Sequence, residues 1–297
     1  MAVVLVLGAS GQFGGHMARA FEAAGWQVRR FQRGTDMAKA AQGADIIVNG
    51  LNPPMYHDWA RLIPQITDEV IAAAKASGAT VIVPGNVYVY GNQSGPWGAD
   101  TPHRPCSRKG AIRAEMEARY RASGVRVILL RGGDFLDADS AGSVMNMVVM
   151  KAVARGRLTA IAAPDVPRAY AYLPDMARAG VALAEQRDQL PRYADIPFAG
   201  LTFSMTDWKA EVERQLHRPM KLTPFAWWQL TLLAPFWELA RELREMRYLF
   251  ETPHSLDPAP LTALVPELHA TPLAQVVAAH LRVKGLEAQV HPQRAVA

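Results

Sequence analysis

The sequence lacks the features that mark several classes of protein. Cys106 is its single cysteine, so no internal disulfide can form and a reducing compartment is indicated. No spacing supports Cys106 as a nucleophile, and we interpret it as a small filler residue. The most apolar stretch contains Pro235 and is too short for a bilayer-spanning helix. The first residues lack the basic segment of a secretion signal, so we expect a cytoplasmic protein.

Blocks of one charge and metal-ligand clusters are also missing. The formal net charge is +5 and the pI is about 9.4, but the arginines are scattered and form no basic-aromatic ladder. Nucleic acid is therefore not an expected partner. The 8 histidines are dispersed, so we expect no bound metal. The 297 residues, 50% hydrophobic and 20% charged, suit a globular enzyme of one large domain or two modest ones.

The clearest structural signal in the sequence lies at the start of the chain. Val3–Leu7 is an unbroken apolar run, as expected for a parallel strand buried on both faces. Gly8, Gly11 and Gly14 follow, ahead of an amphipathic helix. Such glycines allow a tight turn, backbone approach to a pyrophosphate and close packing of helix on strand, although glycines also simply mark turns. The predicted cofactor-binding residues of this segment are Gly8, Ser10, Gly11, Gln12, Phe13 and Gly14.

The end of the second predicted strand bears on the choice of cofactor. In a dinucleotide fold this point meets the adenosine ribose, where an aspartate binds the 2′-hydroxyl of NAD. This chain has Gln32 followed by Arg33, and a guanidinium can pair with the 2′-phosphate of NADP. The sequence therefore favours NADP over NAD. The alternative is that Arg33 is a solvated loop residue and that Asp36 reaches the ribose.

Strands and helices alternate through the rest of the first 190 residues, which predicts an α/β fold with a doubly wound parallel sheet. Asn49, Gly50 and Leu51 follow the third strand and are predicted to contact the cofactor. Long helices are expected over residues 58–77 and 107–122. The predicted domains are a dinucleotide-binding domain over 1–190, to which 134–165 belongs only in part, a mainly helical substrate lobe over 191–285 and a tail over 286–297.

Three segments carry a resemblance to a known family. They are the glycine motif, Val89-Tyr90-Gly91 after a strand, and Arg131–Phe135 after another strand. Together they resemble the extended short-chain dehydrogenase/reductases, and more narrowly the NAD-dependent epimerase/dehydratase branch. Ala171–Ala177 resembles the segment that precedes the last Rossmann helix of that family. The resemblance implies a nicotinamide cofactor, a small-molecule substrate such as a sugar nucleotide, and a homodimer formed through the two long helices.

The resemblance also implies site residues, with one departure. In the family a Ser or Thr polarises the substrate oxygen, and Asn86 stands at that position here. The Tyr-x-x-x-Lys pair is replaced by Lys109 and Arg113, with Glu117 four residues later. Arg113 is expected to contact the cofactor, while Lys109 or Asp134 would supply a proton. For Lys109 and Glu117 the interpretation we favour is a solvated charge ladder on one helix face.

Two functions therefore remain open from the sequence. One is a reductase or epimerase acting on a carbonyl or hydroxyl group, and the other is an NADP-binding sensor that lost its chemistry. Tyr88 and Tyr90 lie near the cleft, without an assigned role, and Arg168 is either a pocket or a surface residue. The Trp-rich segment 224–250 is expected to be buried, because Glu238, Glu242 and Glu245 interrupt its positive face and argue against membrane-surface binding.

Overall fold

A parallel sheet of six strands forms the centre of the molecule, in the order β2-β1-β3-β4-β5-β9. The computed structural model describes residues 1–286. The strands are β1 (Val3–Leu7), β2 (Gln27–Arg30), β3 (Ile46–Asn49), β4 (Thr80–Gly85), β5 (Val127–Arg131), β6 (Asp134–Leu136), β7 (Arg157–Ala160), β8 (Arg168–Tyr172), β9 (Tyr193–Pro197), β10 (Leu201–Phe203) and β11 (Lys221–Pro224). The predicted doubly wound α/β fold is confirmed.

Some of the helices cover the two faces of this sheet, and the others belong to the later part of the chain. The helices are α1 (Gln12–Ala23), α2 (Met37–Ala40), α3 (Trp59–Ser77), α4 (Arg108–Ala122), α5 (Leu173–Glu185), α6 (Met205–Leu216), α7 (Trp227–Leu233), α8 (Glu238–Glu245), α9 (Arg247–Glu251), α10 (Ala259–Leu264) and α11 (Leu273–Val283). One core cluster joins the sheet to α1 and α5, and a second joins it to α3 and α4. Every residue of β1 is consequently buried, which explains its continuous apolar run.

Local sequence signals set most helix ends. Gly25 follows α1 with φ 80° and Gly78 follows α3 with φ 76°, in the left-handed region where glycine is favoured. The Ser107 side chain caps α4 by accepting a hydrogen bond from the amide of Gly110 at 3.0 Å. Thr206 is a plausible cap for α6 in the sequence, but the cap is Ser204. Ser204 and Asp207 satisfy each other's amides reciprocally, a capping box that Thr206 cannot form.

A smaller unit is built from later segments. It contains the sheet β10-β8-β6, the pair β11-β7, and helices α6 and α11 around a third core cluster. Strands β6 and β7, from residues 134–165, lie in its sheets. The predicted boundary at residue 190 is too early, because β9 pairs with β5 and completes the central sheet.

The Trp-rich segment differs most from expectation. Trp227 packs toward Phe250, but the residues around the α7–α8 turn are exposed rather than buried. They are Trp228 (64%), Leu232 (66%), Leu233 (45%), Phe236 (92%) and Trp237 (45%). Within the described residues, no helix combines the length and apolar character needed to cross a membrane. The predicted tail lies outside the described residues from position 287 onward.

Candidate functional site

The glycine motif lies where the strand order reverses, between β1 and β3. Open α/β sheets bind ligands in the crevice at such a switch point. A Cβ on Gly14 would lie 2.3 Å from the carbonyl oxygen of Gly8, so the approach of α1 to the turn requires a residue without a side chain. A Cβ on Gly11, in contrast, would meet only that same oxygen, at 3.3 Å. Gly11 is thus open on the side where a phosphate would lie.

The start of α1 is free to bind an anion. Gly11 occupies the cap position, and no side chain caps the helix, so its first amides point into the crevice. The Phe13 ring is buried in the core and stacks on Phe135 at 6.2 Å, which leaves only its backbone for a ligand. The Gln12 amide donates to the Ser140 hydroxyl at 2.7 Å and ties this turn to the loop after β6.

The segment after β3 forms the other wall of the crevice. The buried Asn49 donates from its side chain to the Tyr120 hydroxyl at 3.0 Å and accepts from the Leu51 amide at 3.2 Å. Gly50 packs against the Gly14 backbone, where a Cβ would lie 3.0 Å from the Gly14 Cα. The residues predicted from the two segments are therefore adjacent.

A cavity of about 650 Å³ opens beside this wall, between the ends of β2 and β3 and the side of α3. Arg33 and Asp36 both line it. The Asp36 carboxylate already caps α2 by accepting from the Lys39 amide at 3.0 Å, whereas the Arg33 side chain is exposed at the cavity rim. Together the open Gly11, the uncapped α1 and this cavity fit a dinucleotide with its adenosine end in the cavity.

Lys109 and Glu117 do not form a solvated ladder, so that interpretation is wrong. Both residues are 1% exposed. The Lys109 ammonium is ion-paired with the carboxylates of Glu242 and Glu245 from α8, and it lies 5.1 Å from the centre of the Tyr56 ring. Packing of α8 over the start of α4 removes this end of the helix from water, which helix periodicity alone does not show.

Glu117 belongs to a second buried cluster. It accepts two hydrogen bonds from the Arg131 guanidinium, at 2.8 and 3.0 Å, and Asp195 accepts two more, at 2.6 and 3.1 Å. The fifth Arg131 donor goes to the Asn86 carbonyl at 2.6 Å. His103, Glu117 and Asp195 form the one set of potential metal ligands among residues 1–286. Because Arg131 bonds both carboxylates, this is a guanidinium site.

Arg113 faces the crevice, as its position on α4 predicts. Its guanidinium donates to the Asn52 side chain at 3.1 Å and lies 4.8 Å from the centre of the Trp59 ring. The Arg113 Nε is buried without a hydrogen-bond partner among the described residues. Burial lowers the pKa of this guanidinium, although neighbouring tyrosines oppose the change. A buried donor without an acceptor is suited to a polar group of a bound ligand.

Two tyrosines meet at the carboxyl edge of the sheet, and sequence reasoning did not assign them a role. The hydroxyl of Tyr56, after β3, lies 3.3 Å from the hydroxyl of Tyr88, after β4. Burial raises the pKa of both phenols, the charge of Asp134 adds to this, and the charge of Arg113 opposes it. Both phenols are therefore protonated at neutral pH. Both residues follow ends of predicted strands, where open α/β sheets bind ligands, and this signal could have found them.

Asn86 and Asp134 flank these tyrosines. The Asn86 side-chain oxygen accepts from the Tyr88 amide at 3.0 Å, which leaves its amide nitrogen to donate to a ligand. Asp134 accepts from Arg168 at 2.6 Å, and Arg168 also donates to the Tyr170 hydroxyl at 2.6 Å. Arg168 is 6% exposed, so its interpretation as a surface arginine is wrong.

The architecture places the chain among α/β proteins with a doubly wound parallel sheet and a smaller appended unit. A UDP-glucuronic acid 4-epimerase from Bacillus cereus, solved with UDP-glucuronic acid and NAD, is similar at 16% identity, with a TM-score of 0.74 over 96% of this chain and 99% of that one. MoeE5 with UDP-glucose and NAD has 12% identity and the same TM-score and coverage. The NAD-dependent NDP-hexosamine 5,6-dehydratase TunA has 17% identity and a TM-score of 0.70, over 96% and 98% of the two chains.

These similarities extend over almost the whole chain, so the fold expected from the family resemblance is confirmed. The match runs into the C-terminal lobe, where the sequence showed only a general likeness. No model of a known protein family matches the sequence, and no curated protein sequence matches it either.

Proposed function

We propose that the protein is an NADP(H)-dependent enzyme that reduces a carbonyl group on a sugar nucleotide or a related substrate. The observation that carries this proposal is the Tyr56–Tyr88 pair, which places protonated hydroxyls 3.3 Å apart beside Arg113 at the ligand-binding edge of the sheet. The fold neighbours solved with UDP-sugars and NAD support the substrate and cofactor classes.

The tyrosine pair supplies the proton in this proposal. A nicotinamide cofactor held in the β1/β3 crevice would supply a hydride to the substrate carbon. Asn86 donates a hydrogen bond to the substrate oxygen, and Tyr88 gives that oxygen a proton as negative charge develops on it. Tyr56 then hydrogen-bonds the Tyr88 phenolate, and the nearby Arg113 charge stabilises it. A phenol held in its protonated form favours proton donation, hence carbonyl reduction, over removal of a proton from a hydroxyl group.

Tyr88→Phe tests this role. We expect turnover to fall by about 100-fold or more, the usual contribution of a general acid, while NADPH binding is unchanged. The assay follows NADPH oxidation with carbonyl compounds and NADP⁺ reduction with UDP-glucose or UDP-glucuronic acid. Tyr193→Phe, at a tyrosine outside the crevice, is the matched control. Full turnover by Tyr88→Phe would rule out the proposal.

Lys109 and Asp134 remain predicted proton donors, and the same assay tests both. Each is already ion-paired, Lys109 with two carboxylates and Asp134 with Arg168, so the geometry favours Tyr88 over either. Lys109→Ala and Asp134→Asn are predicted to reduce turnover and to spare cofactor binding. If Lys109→Ala alone abolishes turnover, the proton assignment moves from Tyr88 to Lys109.

The preference for NADP rests on Arg33, whose exposed guanidinium lines the cavity that fits the adenosine end. We expect NADPH to bind about ten-fold or more tightly than NADH, the usual scale of a charge-assisted pair. Calorimetric titration of both cofactors measures this difference, and Arg33→Asp should reverse it. Arg61→Asp, at an exposed arginine of α3, is the control. Equal affinities in the unmodified protein would rule out the NADP assignment.

A second function is an NADP-binding sensor without catalysis. Its supporting observation is that Lys109 and Asp134, the two candidate proton donors implied by the resemblance, are both ion-paired inside the protein. Tight NADPH binding without turnover of any tested substrate would favour it.

The homodimer through α3 and α4 also stays a prediction. An ion pair joins the outer sides of these two helices within the chain, where Arg119 of α4 lies 2.9 Å from Asp68 of α3. Light scattering at micromolar concentration tests the prediction, and a monomer would contradict it.

A further inference from the structure

The turn between α7 and α8 presents an apolar surface, which we call the tip and define as Trp228, Leu232, Leu233, Phe236 and Trp237. Trp228 and Leu232 lie one turn apart on α7, so they share a face of that helix. Phe236, at 92% exposure, stands at the turn itself. The three aromatic side chains alone expose roughly 400 Å², the size of a whole functional patch on an ordinary monomer.

Positive charge lies directly behind the tip. Trp237, Arg241 and Arg244 follow one face of α8 at spacings of four and three residues. Both arginines are exposed. Arg247 on α9 is exposed as well, but Glu251 pairs with it at 2.8 Å and offsets its charge. The apolar tip is therefore bordered by cationic side chains.

The acidic residues of α8 face the other way. Glu242 and Glu245 are turned inward to the buried Lys109, and their side chains are only 12% and 25% exposed. Glu238 pairs with His57 at 3.0 Å. Arg241 keeps a loose contact with Glu242 at 3.6 Å, with 58% of its own side chain exposed. The glutamates that interrupt the positive face in the sequence are thus paired with other residues in the fold.

We propose that the tip docks the protein peripherally on a lipid bilayer that contains anionic lipids. Tryptophan, phenylalanine and leucine on one side with arginine behind them is the composition of a segment that lies at a membrane interface. The aromatic rings would enter the headgroup and upper acyl region while the arginines contact lipid phosphates. The formal net charge of +5 acts in the same direction.

A bilayer fits this surface better than a second copy of the chain does. A two-fold contact over the tip would gather Arg241 and Arg244 of both copies around one interface. Like charges brought together in this way oppose association. Anionic phosphates, in contrast, complement both arginines while the acyl region accepts the apolar side chains.

Vesicle flotation of the full-length protein, purified without detergent, tests the proposal. We expect binding to vesicles of phosphatidylcholine mixed with phosphatidylglycerol, and weaker binding to phosphatidylcholine alone. Added salt should weaken the electrostatic part. Phe236→Ser with Trp237→Ser should reduce binding about ten-fold or more, and Arg241→Glu with Arg244→Glu should do so on the anionic vesicles.

Matched controls separate the tip from general hydrophobicity and charge. Met55→Ser changes another exposed apolar residue, and Lys75→Glu with Lys151→Glu reverses two exposed charges elsewhere. Both controls should bind like the unmodified protein, and circular dichroism checks that every variant is folded. Absence of flotation with anionic vesicles, or equal flotation by folded tip variants, would overturn the proposal. So would a Phe236-dependent dimer that binds no vesicle.

Discussion

Arg131 and Lys109 each lie buried between two carboxylates, but they join different parts of the chain. The Arg131 partners, Glu117 and Asp195, belong to α4 and β9, and these three side chains are 0%, 2% and 5% exposed. The Lys109 partners both come from α8, more than 120 residues along the chain from Lys109, and their side chains keep 12% and 25% of their surface exposed. The Arg131 cluster joins α4 to strands of the central sheet, and the Lys109 cluster links α4 to the segment carrying the tip.

The two clusters differ in the hydrogen-bond geometry of their cations rather than in charge. The planar Arg131 guanidinium uses all five of its donors, four on carboxylates and one on the Asn86 carbonyl, so no partner can turn without losing a bond. An ammonium is a compact point charge whose partners can rotate. Two clusters of the same composition, one cation and two carboxylates, can therefore have different roles. The Arg131 cluster fixes the core beside Asn86, and the Lys109 cluster holds α8 in place.

The largest effect is expected from Arg131→Met. The substitution leaves two carboxylates buried without a cation, and loss of one partner of a buried pair costs about 3–5 kcal/mol. Urea unfolding followed by circular dichroism measures the free energy of unfolding. Arg119→Met, which removes exposed ion pairs with Asp68 and Glu115, is the control and should cost far less. If Arg131→Met lowered the free energy of unfolding as little as the control does, the proposed difference between the two clusters would be wrong.

Lys109→Met should cost less, about 1–2 kcal/mol, since Glu242 and Glu245 can turn toward water. The loss of the ion pairs should instead appear as faster proteolytic cleavage near α8, measured by limited trypsin digestion and mass spectrometry. Adding Glu242→Gln and Glu245→Gln to Lys109→Met removes the unpaired charges and should slow cleavage again. Cleavage at an unchanged rate would show that Lys109 does not hold α8.

Alkaline pH sharpens the comparison through Tyr193, which lies beside the Arg131 cluster. Burial, with the charges of Glu117 and Asp195, raises the pKa of Tyr193 to about 12. Above the ordinary pKa of about 10 the unfolded chain loses this proton first, so stability falls as pH rises from about 10 to 12. Near pH 11 this tyrosine should account for about 1 kcal/mol of the loss. Tyr193→Phe should show a correspondingly smaller decline in urea unfolding, and equal declines would exclude this linkage.

The smallest effect concerns His103, which lies 3.6 Å from Glu117. Burial lowers the pKa of His103, and the charge of Glu117 opposes the change. The unfolded chain therefore takes up the proton first, and stability falls as pH drops below the ordinary value of about 6.5. His103→Asn should make this decline in melting temperature shallower, while the exposed His269→Asn should leave it unchanged. A steeper decline in His103→Asn would reverse the sign of the argument.

Local patterns in the sequence were sufficient to predict the central fold. The apolar run Val3–Leu7, the spacing of Gly8, Gly11 and Gly14, and the glycines that end α1 and α3 act within a few residues, and the structure contains each element they predict. The two segments that these patterns predict to bind a cofactor lie next to each other at the β1/β3 switch point. Short-range periodicity and steric limits are sufficient there because each residue's role depends mainly on its neighbours in the chain.

Only the tertiary structure decided which charges are buried and which apolar residues are exposed. Lys109 and Glu117 have helix-surface spacing, yet α8 and β5 bring partners from distant positions and remove them from water. Phe236 belongs to a segment that the sequence predicts to be buried, yet it is 92% exposed, while Glu245 of α8 turns inward to Lys109. Tyr56 and Tyr88 follow different strands, and they meet only because the ends of those strands lie close together in the folded chain. Contacts across such separations depend on packing of the whole chain, which local periodicity does not specify.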